Sequence, residues 1–258
     1  MISKAKIKQI HALGQKKGRD ELRAFVAEGP KVVGDLLDSG MKARLITAKA
    51  DWHYDGDTLK NKCDDFYDVT DEELRKISFM QHPQQVLAVF NMPEEEKELP
   101  DAKEQLILAL DSVQDPGNLG TIIRIADWFG IKNIICSQET ADVYNPKTIQ
   151  ATMGSIARVS VRYTQLERYL AGQPEGIPVY GTLLDGKNIY TQELSANGII
   201  VMGNEGRGIS EPIKNIINRK LFIPNWPKGR ETADSLNVAV ATAITCSEFR
   251  RREEYGNI

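Results

Sequence analysis

The stretch DSVQDPGNLGTIIRIADWFG, residues 111–130, decides the fold of the second part of this chain. It follows the apolar run LILAL and passes through a glycine-containing turn into a helical pattern. At about 100° per residue, Arg124 falls opposite an apolar stripe that contains Ile122, Ile125 and Phe129. A strand, a turn and an amphipathic helix in this order predict an α/β unit in which Arg124 faces away from the core.

The same alternation of short apolar strands and helical stretches continues to a closing helix from about Ser235 to Arg252. It predicts a mostly parallel sheet with helices on both faces. Upstream, AFVAEGPKVVGDLLDSG followed by ARLITA predicts a smaller α/β unit. The segment between the two has two prolines and a charge run, which is typical of a linker. We therefore predict a small α/β domain over 1–93, a linker over 94–104 and a larger domain over 105–258.

Composition restricts the class of protein. The 258 residues carry a net charge of -3, and no apolar run approaches the ~20 residues needed to span a bilayer, so we expect a cytoplasmic protein and no membrane partner. The three cysteines and three histidines show no ligand spacing, which predicts neither a metal site nor a disulfide. Residues 1–44 have a net charge of +5, and the stretch 212–230 has five basic residues and no acid. These two basic segments permit a nucleic-acid partner without requiring one.

Nucleotide-binding fingerprints are absent. The glycines after LILAL stand at 117 and 120, giving GxxG rather than GxGxxG, and GxxxxGK[ST] does not occur. A dinucleotide or P-loop site is therefore not expected.

Three strand ends instead carry a specific combination of motifs. The first is the opening stretch, the second is GIIVMGNEGRGIS (198–210), and the third is LFIPNWPKGRETADSLNVAVATAI (221–244). Together they resemble the motifs of the SpoU or TrmH branch of the SPOUT superfamily, the S-adenosylmethionine-dependent RNA 2′-O-ribose methyltransferases. The stretch GRDELRAFVAEGPKVVGDLL is similar to the small substrate-binding domain that many of these enzymes carry in front.

The resemblance implies a fold and a cofactor that the hydrophobic periodicity of the sequence alone does not predict. The expected fold class is α/β, with a C-terminal trefoil-knotted SPOUT methyltransferase domain and a small N-terminal α/β substrate-binding domain. Knots are rare exceptions among protein topologies, so the knot rests on the family alone. In the family, S-adenosylmethionine is held largely by backbone groups of the three motif loops. Those contacts fall here on Gly203, Ile223 and Leu236.

Transfer of a methyl group to a ribose hydroxyl requires alignment of donor and hydroxyl and a more anionic hydroxyl at attack. The resemblance makes Arg124 the candidate that activates the hydroxyl. Arginine stays protonated at neutral pH, so we expect Arg124 to fix the target phosphate and stabilise a forming alkoxide. The alternative is a surface pair with Asp127, three residues along the helix.

Four further residues match the motifs and have simpler structural interpretations. Asn118 and Ser235 stand where helices are expected to begin, so each fits an N-cap, and Asn237 also lies at the opening of the last helix. Glu205 lies among glycines that let a backbone approach a ligand closely, or it is an ordinary acid in a turn. The resemblance adds Asn118, Glu205, Ser235 and Asn237 to Arg124 as candidate catalytic residues.

The loop from Asn225 to Asp234 is longer than in many members of the family. It places Trp226 between the third strand end and SLN, with Lys228 and Arg230 beside it. An aromatic ring flanked by cations suits an unpaired RNA base and its phosphates. The alternative is a tryptophan packed on the protein.

The function expected from the motifs is methylation of a ribose 2′-hydroxyl in structured RNA, with ribosomal RNA favoured over transfer RNA by the basic N-terminal segment. The family also implies a homodimer formed through the knotted domain. Two alternatives stay open: a non-catalytic RNA-binding or ribosome-assembly factor with the same fold, and an enzyme that methylates a base. The set of candidate catalytic residues argues against the first, and Arg124 with SLN argues against the second.

Overall fold

Two sheets organise the chain. The computed structural model describes residues 2–54, 59, 61–94, 98–227, 230 and 233–256. Packing divides the chain into two units, one formed by Met1–Glu95 with Asp142–Arg158 and the other by Glu96–Ala141 with Val159–Ile258. Residues 95–97 of the predicted linker and Lys228 of the predicted RNA loop lie outside the described residues.

The first unit is built on a four-stranded mixed sheet. Its elements from residue 1 to residue 95 are α1 (Lys4–Ala12), α2 (Lys16–Leu22), β1 (Ala24–Glu28), α3 (Pro30–Asp38), β2 (Ala43–Ala48), β3 (Cys63–Asp68), α4 (Asp71–Ile77) and β4 (Val86–Asn91). The strand order is β1-β4-β2-β3, and only β2 and β3 pair in parallel. Thr70 caps α4 in a reciprocal capping box with Glu73.

The segment Asp142–Arg158 also belongs to this first unit. It contains α6 (Pro146–Thr152) and a 3₁₀ turn (Ser155–Ala157). Ile149 is buried in the core of the first unit, and the ring of Tyr144 lies 4.9 Å from that of Phe25. The predicted domain 105–258 includes this segment. Its apolar side chains pack instead on the first unit. The division into 1–93, 94–104 and 105–258 remains a prediction.

The second unit is built on a six-stranded sheet in which every strand pair is parallel. Its strands and helices are β5 (Leu106–Leu110), α5 (Pro116–Trp128), β6 (Asn133–Cys136), β7 (Ser160–Tyr163), α7 (Leu166–Ala171), β8 (Val179–Asn188), β9 (Gly198–Met202), α8 (Glu211–Lys214), β10 (Arg219–Phe222) and α9 (Val238–Tyr255), with a 3₁₀ turn at Ile189–Thr191. The order is β10-β8-β9-β5-β6-β7. This confirms the predicted α/β class and mostly parallel sheet.

Burial explains the central strands. All five residues of β5 and all five of β9 are buried, as expected for parallel strands covered on both faces. Helices α5 and α9 pack against each other. The deep knot implied by the resemblance remains a prediction. None of the described helices is long and apolar enough to cross a membrane.

Candidate active site

Three loops that follow β5, β9 and β10 meet at one edge of the six-stranded sheet. The carboxyl ends of parallel strands share one edge, which is where open α/β sheets bind ligands. The loops are residues 111–115, 203–210 and 223–237, and they contain the three sequence motifs. Each of the eight predicted site residues lies in one of these loops or in the helix that follows it.

A buried carboxylate fastens the first loop to the second. Asp111 is 4 % exposed, and its Oδ2 accepts a hydrogen bond from the backbone N–H of Ser210 at 2.7 Å. In addition, Asn204 Nδ2 donates to the carbonyl of Ser112 at 2.7 Å. Asp111 and Asn204 are not among the predicted site residues, although Asp111 directly follows an apolar strand and Asn204 is part of GNEG.

The second loop is closed by its own backbone and by Asn204. The backbone groups of Asn204 and Gly208 pair in both directions, and Asn204 Oδ1 accepts from the N–H groups of Gly206 and Arg207 at 3.0 Å. A Cβ on Gly203 would lie 2.3 Å from the backbone carbon of Gly208, so no other residue fits there. Gly203 is therefore required for the shape of the loop.

Glu205 is held by donors from the first loop. Its carboxylate accepts from Asn118 Nδ2 at 3.0 Å and from the backbone N–H groups of Gln114 and Asp115, each at 3.3 Å. Partial burial raises the pKa of Glu205, but these hydrogen bonds outweigh burial and hold the pKa below its ordinary value. Glu205 is thus an anion in a turn that is fixed by contacts with the first loop and with Asn118.

Asn118 links all three motif loops. Because the ionised carboxylate of Glu205 only accepts hydrogen bonds, the amide nitrogen of Asn118 must face it, which leaves Oδ1 to accept from Asn237 Nδ2 at 2.9 Å. The N-cap interpretation of Asn118 is wrong, since the side chain of Asp115 caps α5 by accepting from the N–H of Asn118 at 2.8 Å. The amide of Asn118 is therefore free for contacts between loops.

The last helix begins later than predicted. It starts at Val238 rather than at about Ser235, because Asn237 is its N-cap and accepts from the backbone N–H groups of Ala239 and Val240. Ser235 is exposed and does not cap the helix. The SLN segment thus precedes the helix as a loop.

Arg124 lies on the exposed side of α5, opposite the buried Ile122, Ile123 and Ala126. It makes no hydrogen bond or ion pair with any residue that the structure describes, so the alternative of a pair with Asp127 is not supported. An exposed guanidinium without a carboxylate is available for a phosphate or another anion.

The predicted cofactor contacts fit a neutral, planar ligand. Outside the sheet ladders, the backbone of Gly203, Ile223 and Leu236 makes no hydrogen bond within the described part of the chain. Leu236, in the loop before the last helix, also leaves 51 % of its surface exposed. Backbone donors and acceptors without a hydrogen-bond partner in the described part of the chain, next to apolar side chains, can bind an adenine ring. No group of three or more metal-ligating side chains occurs among the described residues.

Two family models match the chain. The SpoU rRNA Methylase family matches residues 105–247, and the MRM3-like substrate binding domain matches residues 4–88.

Individual relatives agree with these matches. The 23S rRNA (guanosine(2553)-2′-O)-methyltransferase RlmP of Bacillus subtilis is 33% identical over 249 residues, covering 95% of this chain and 96% of that protein. A Porphyromonas gingivalis structure, assigned to the TrmH family of RNA methyltransferases, is 39% identical, covers 98% of this chain and 99% of its own, and has a TM-score of 0.83. An AdoMet-bound rRNA methyltransferase from Sinorhizobium meliloti has a TM-score of 0.85 at 32% identity, covering 98% and 96%.

Proposed function

The chain belongs to the SpoU rRNA methylase family, and on that premise we propose that it transfers a methyl group from S-adenosylmethionine to a ribose 2′-hydroxyl of ribosomal RNA. The observation that carries the proposal is the hydrogen-bonded set Glu205, Asn118 and Asn237, which brings one residue from each motif loop into contact. The names of relatives that span nearly the whole chain support ribosomal RNA as the substrate class.

The cofactor supplies an electrophilic methyl group that is bound to a sulfonium. The sulfide leaves without protonation by an acid. Gly203, Ile223 and Leu236 would hold its adenine through their open backbone groups. In the reaction the bond between the methyl carbon and sulfur breaks, and a bond between that carbon and the ribose oxygen forms. The protein must position the hydroxyl in line with the methyl group, which can lower the barrier by ~7 to 11 kcal/mol.

Arg124 would anchor the target nucleotide. Its guanidinium is exposed and has no carboxylate partner among the described residues, so it can hold the phosphate of the target and stabilise charge that develops on the hydroxyl oxygen. Because arginine stays protonated at neutral pH, the proton of the hydroxyl goes to that phosphate or to water.

The amide network would give the site its rigidity. Asn118 is held from both sides, by Glu205 and by Asn237, so it keeps one orientation at the start of the helix that carries Arg124. Ser235 is exposed and has no capping role, which leaves its hydroxyl available for substrate.

We also propose a homodimer formed by the second unit. Trp128 on α5 is 84 % exposed, and Val240 on α9 is 49 % exposed, so two helices that pack together leave apolar side chains in water. Size-exclusion chromatography with light scattering tests this proposal, and Trp128→Glu should convert a dimer into a monomer. An enzyme of ribosomal RNA would act in the cytoplasm.

The test of function is a product assay. The protein is incubated with S-adenosylmethionine labelled in its methyl group and with 23S ribosomal RNA from a strain lacking this gene, and the RNA is digested to nucleosides. A labelled 2′-O-methyl nucleoside is expected, with 2′-O-methylguanosine as the candidate from the RlmP relative. A labelled base methyl group, or no incorporation by a protein that binds the donor, would overturn the proposal.

A further inference from the structure

The loop between β10 and Asn237 presents a tryptophan to solvent. Trp226 leaves 86 % of its surface exposed, so the alternative of a ring packed on the protein is wrong. A single exposed apolar residue does not by itself indicate a binding site. The evidence for a binding site comes from how the residue is held, where it lies and which charges surround it.

The loop around Trp226 is closed by hydrogen bonds. Asn225 Nδ2 donates to the carbonyl of Arg230 at 3.3 Å, and the N–H of Arg230 donates to the carbonyl of Pro227 at 3.2 Å. These bonds connect Arg230 to the residue on each side of Trp226, whose ring is exposed. A ring held in this way loses less conformational entropy on binding than one on an open chain.

Trp226 is close along the chain to the proposed methyl-transfer site. It stands three residues after Ile223, a candidate donor contact, and three residues of extended chain span at most ~11 Å. At its other end the loop returns to Asn237, which is hydrogen-bonded to Asn118. The chain on each side of Trp226 therefore leads to a residue of the proposed site.

An exposed arginine, Arg230, is hydrogen-bonded to the two neighbours of the ring, Asn225 and Pro227. Its side chain pairs with no carboxylate among the described residues. The lysines of the same basic stretch, 212–230, behave differently where the structure describes them, because Lys214 pairs with Glu211 and Lys220 pairs with Asp185. The unneutralised positive charge here is carried by arginine, the side chain best suited to phosphate.

We propose that Trp226 stacks on an unpaired RNA base beside the methylated nucleotide, and that Arg230 contacts a phosphate that flanks this base. Single-stranded nucleotides are commonly bound by an aromatic ring with cations around it. The proposal rests on the proposed function, because it assigns the region of the RNA that enters that same site. It predicts a target nucleotide in a loop or bulge rather than in a regular duplex.

Kinetics with 23S ribosomal RNA from a strain lacking the gene provide the first test. Trp226→Ala should raise KM for RNA by roughly 10- to 100-fold, the effect of losing one stacked base, while Trp226→Phe should stay within about 5-fold of wild type. Binding of S-adenosylhomocysteine, measured by calorimetry, should not change. Tyr255→Ala is the matched control, because it removes another exposed aromatic ring, 65 % exposed at the end of α9. It should retain the wild-type KM.

Fluorescence provides a readout that a purely structural role would not change. Binding of a transcribed 23S RNA fragment should quench tryptophan emission in wild type, and Trp226→Phe should remove most of the quenching although Trp52 and Trp128 remain. Wild-type KM and RNA affinity in Trp226→Ala would overturn the proposal, as would a loss of donor affinity. If wild type forms no 2′-O-methyl product, the proposed function fails, and the quenching comparison still decides whether Trp226 stacks on RNA.

Discussion

Asn237 donates its side-chain amide to Asn118 Oδ1 at 2.9 Å, and in this way the residue that caps the last helix also fixes the first motif loop. The two tasks use different atoms of one amide, because Oδ1 of Asn237 accepts from the helix and Nδ2 donates to Asn118. Substitutions can therefore separate helix stability from the geometry of the site.

Asn237→Asp should separate these two tasks. A carboxylate keeps the cap but presents an oxygen to Asn118 Oδ1, so the contact becomes repulsive. The free energy of unfolding should change by less than ~1 kcal/mol, whereas the methyl-transfer rate should fall by roughly 2- to 10-fold or more. Asn237→Ala should lose rate and also ~1 kcal/mol of stability. Urea unfolding and single-turnover methylation measure the two effects, and equal stability of both variants would contradict the capping role.

Gly203→Ala should distort the second motif loop. The added Cβ would lie 2.3 Å from the backbone of Gly208, and backbone atoms cannot yield as a flexible side chain can. We expect lower thermal stability and a loss of S-adenosylhomocysteine binding, both measured on the purified protein. Gly206→Ala is the matched control in the same loop, because its Cβ would meet nothing closer than Asn204 Oδ1 at 3.8 Å. Similar behaviour of the two variants would refute the steric argument.

Glu205→Gln should change how stability depends on pH. The pKa of Glu205 is lowered in the folded protein, so its ionised form stabilises the fold fully above its ordinary value of 4.5, and this contribution disappears as pH falls through the folded pKa. Urea unfolding from pH 3 to 7 should show wild type more stable than Glu205→Gln at neutral pH, with the difference shrinking below about pH 4.5. A stability difference between the two proteins that stays constant down to pH 3 would show that the charge of Glu205 does not stabilise the fold.

Arg124→Ala should affect catalysis without affecting the fold. The side chain is exposed and has no partner within the described residues, so the free energy of unfolding should change by less than ~0.5 kcal/mol. The methyl-transfer rate should fall by ~100-fold or more, as when a group that stabilises developing charge is removed. Arg168→Ala removes an exposed arginine of the same unit and serves as the control. A wild-type rate in Arg124→Ala would eliminate the proposed mechanism.

Asp142→Ala should weaken the first unit. Arg19 is 2 % exposed, and its guanidinium donates to Asp142 and to the carbonyl of Leu13, so removal of the acid leaves a buried charge without its partner. Loss of one partner of a buried pair costs ~3 to 5 kcal/mol. Urea unfolding measures the loss, and Asp20→Ala, which removes an exposed pair with Lys16, should cost no more than ~0.5 kcal/mol. Equal effects of both substitutions would mean that the buried pair does not hold the segment 142–158.

Local sequence determined the elements and the places where loops form. Apolar runs predicted the buried strands, and the stripe on α5 predicted an exposed Arg124. These signals succeed because hydrogen bonds within a helix turn and the alternation of buried and exposed side chains depend on residues only a few positions apart. The resemblance to a family added the three motifs, and the family match confirmed it.

Only the tertiary structure decided which of these residues meet. The contact of Asn118 with Glu205 spans 87 positions, that of Asn118 with Asn237 spans 119, and that of Arg19 with Asp142 spans 123. Asp115 rather than Asn118 caps α5, and Asn237 rather than Ser235 caps α9. Which of several neighbouring polar residues caps a helix depends on where contacts with the rest of the chain hold each residue. The side chain of Asn118 therefore hydrogen-bonds to residues that are distant in sequence, and no local sequence pattern identifies these partners.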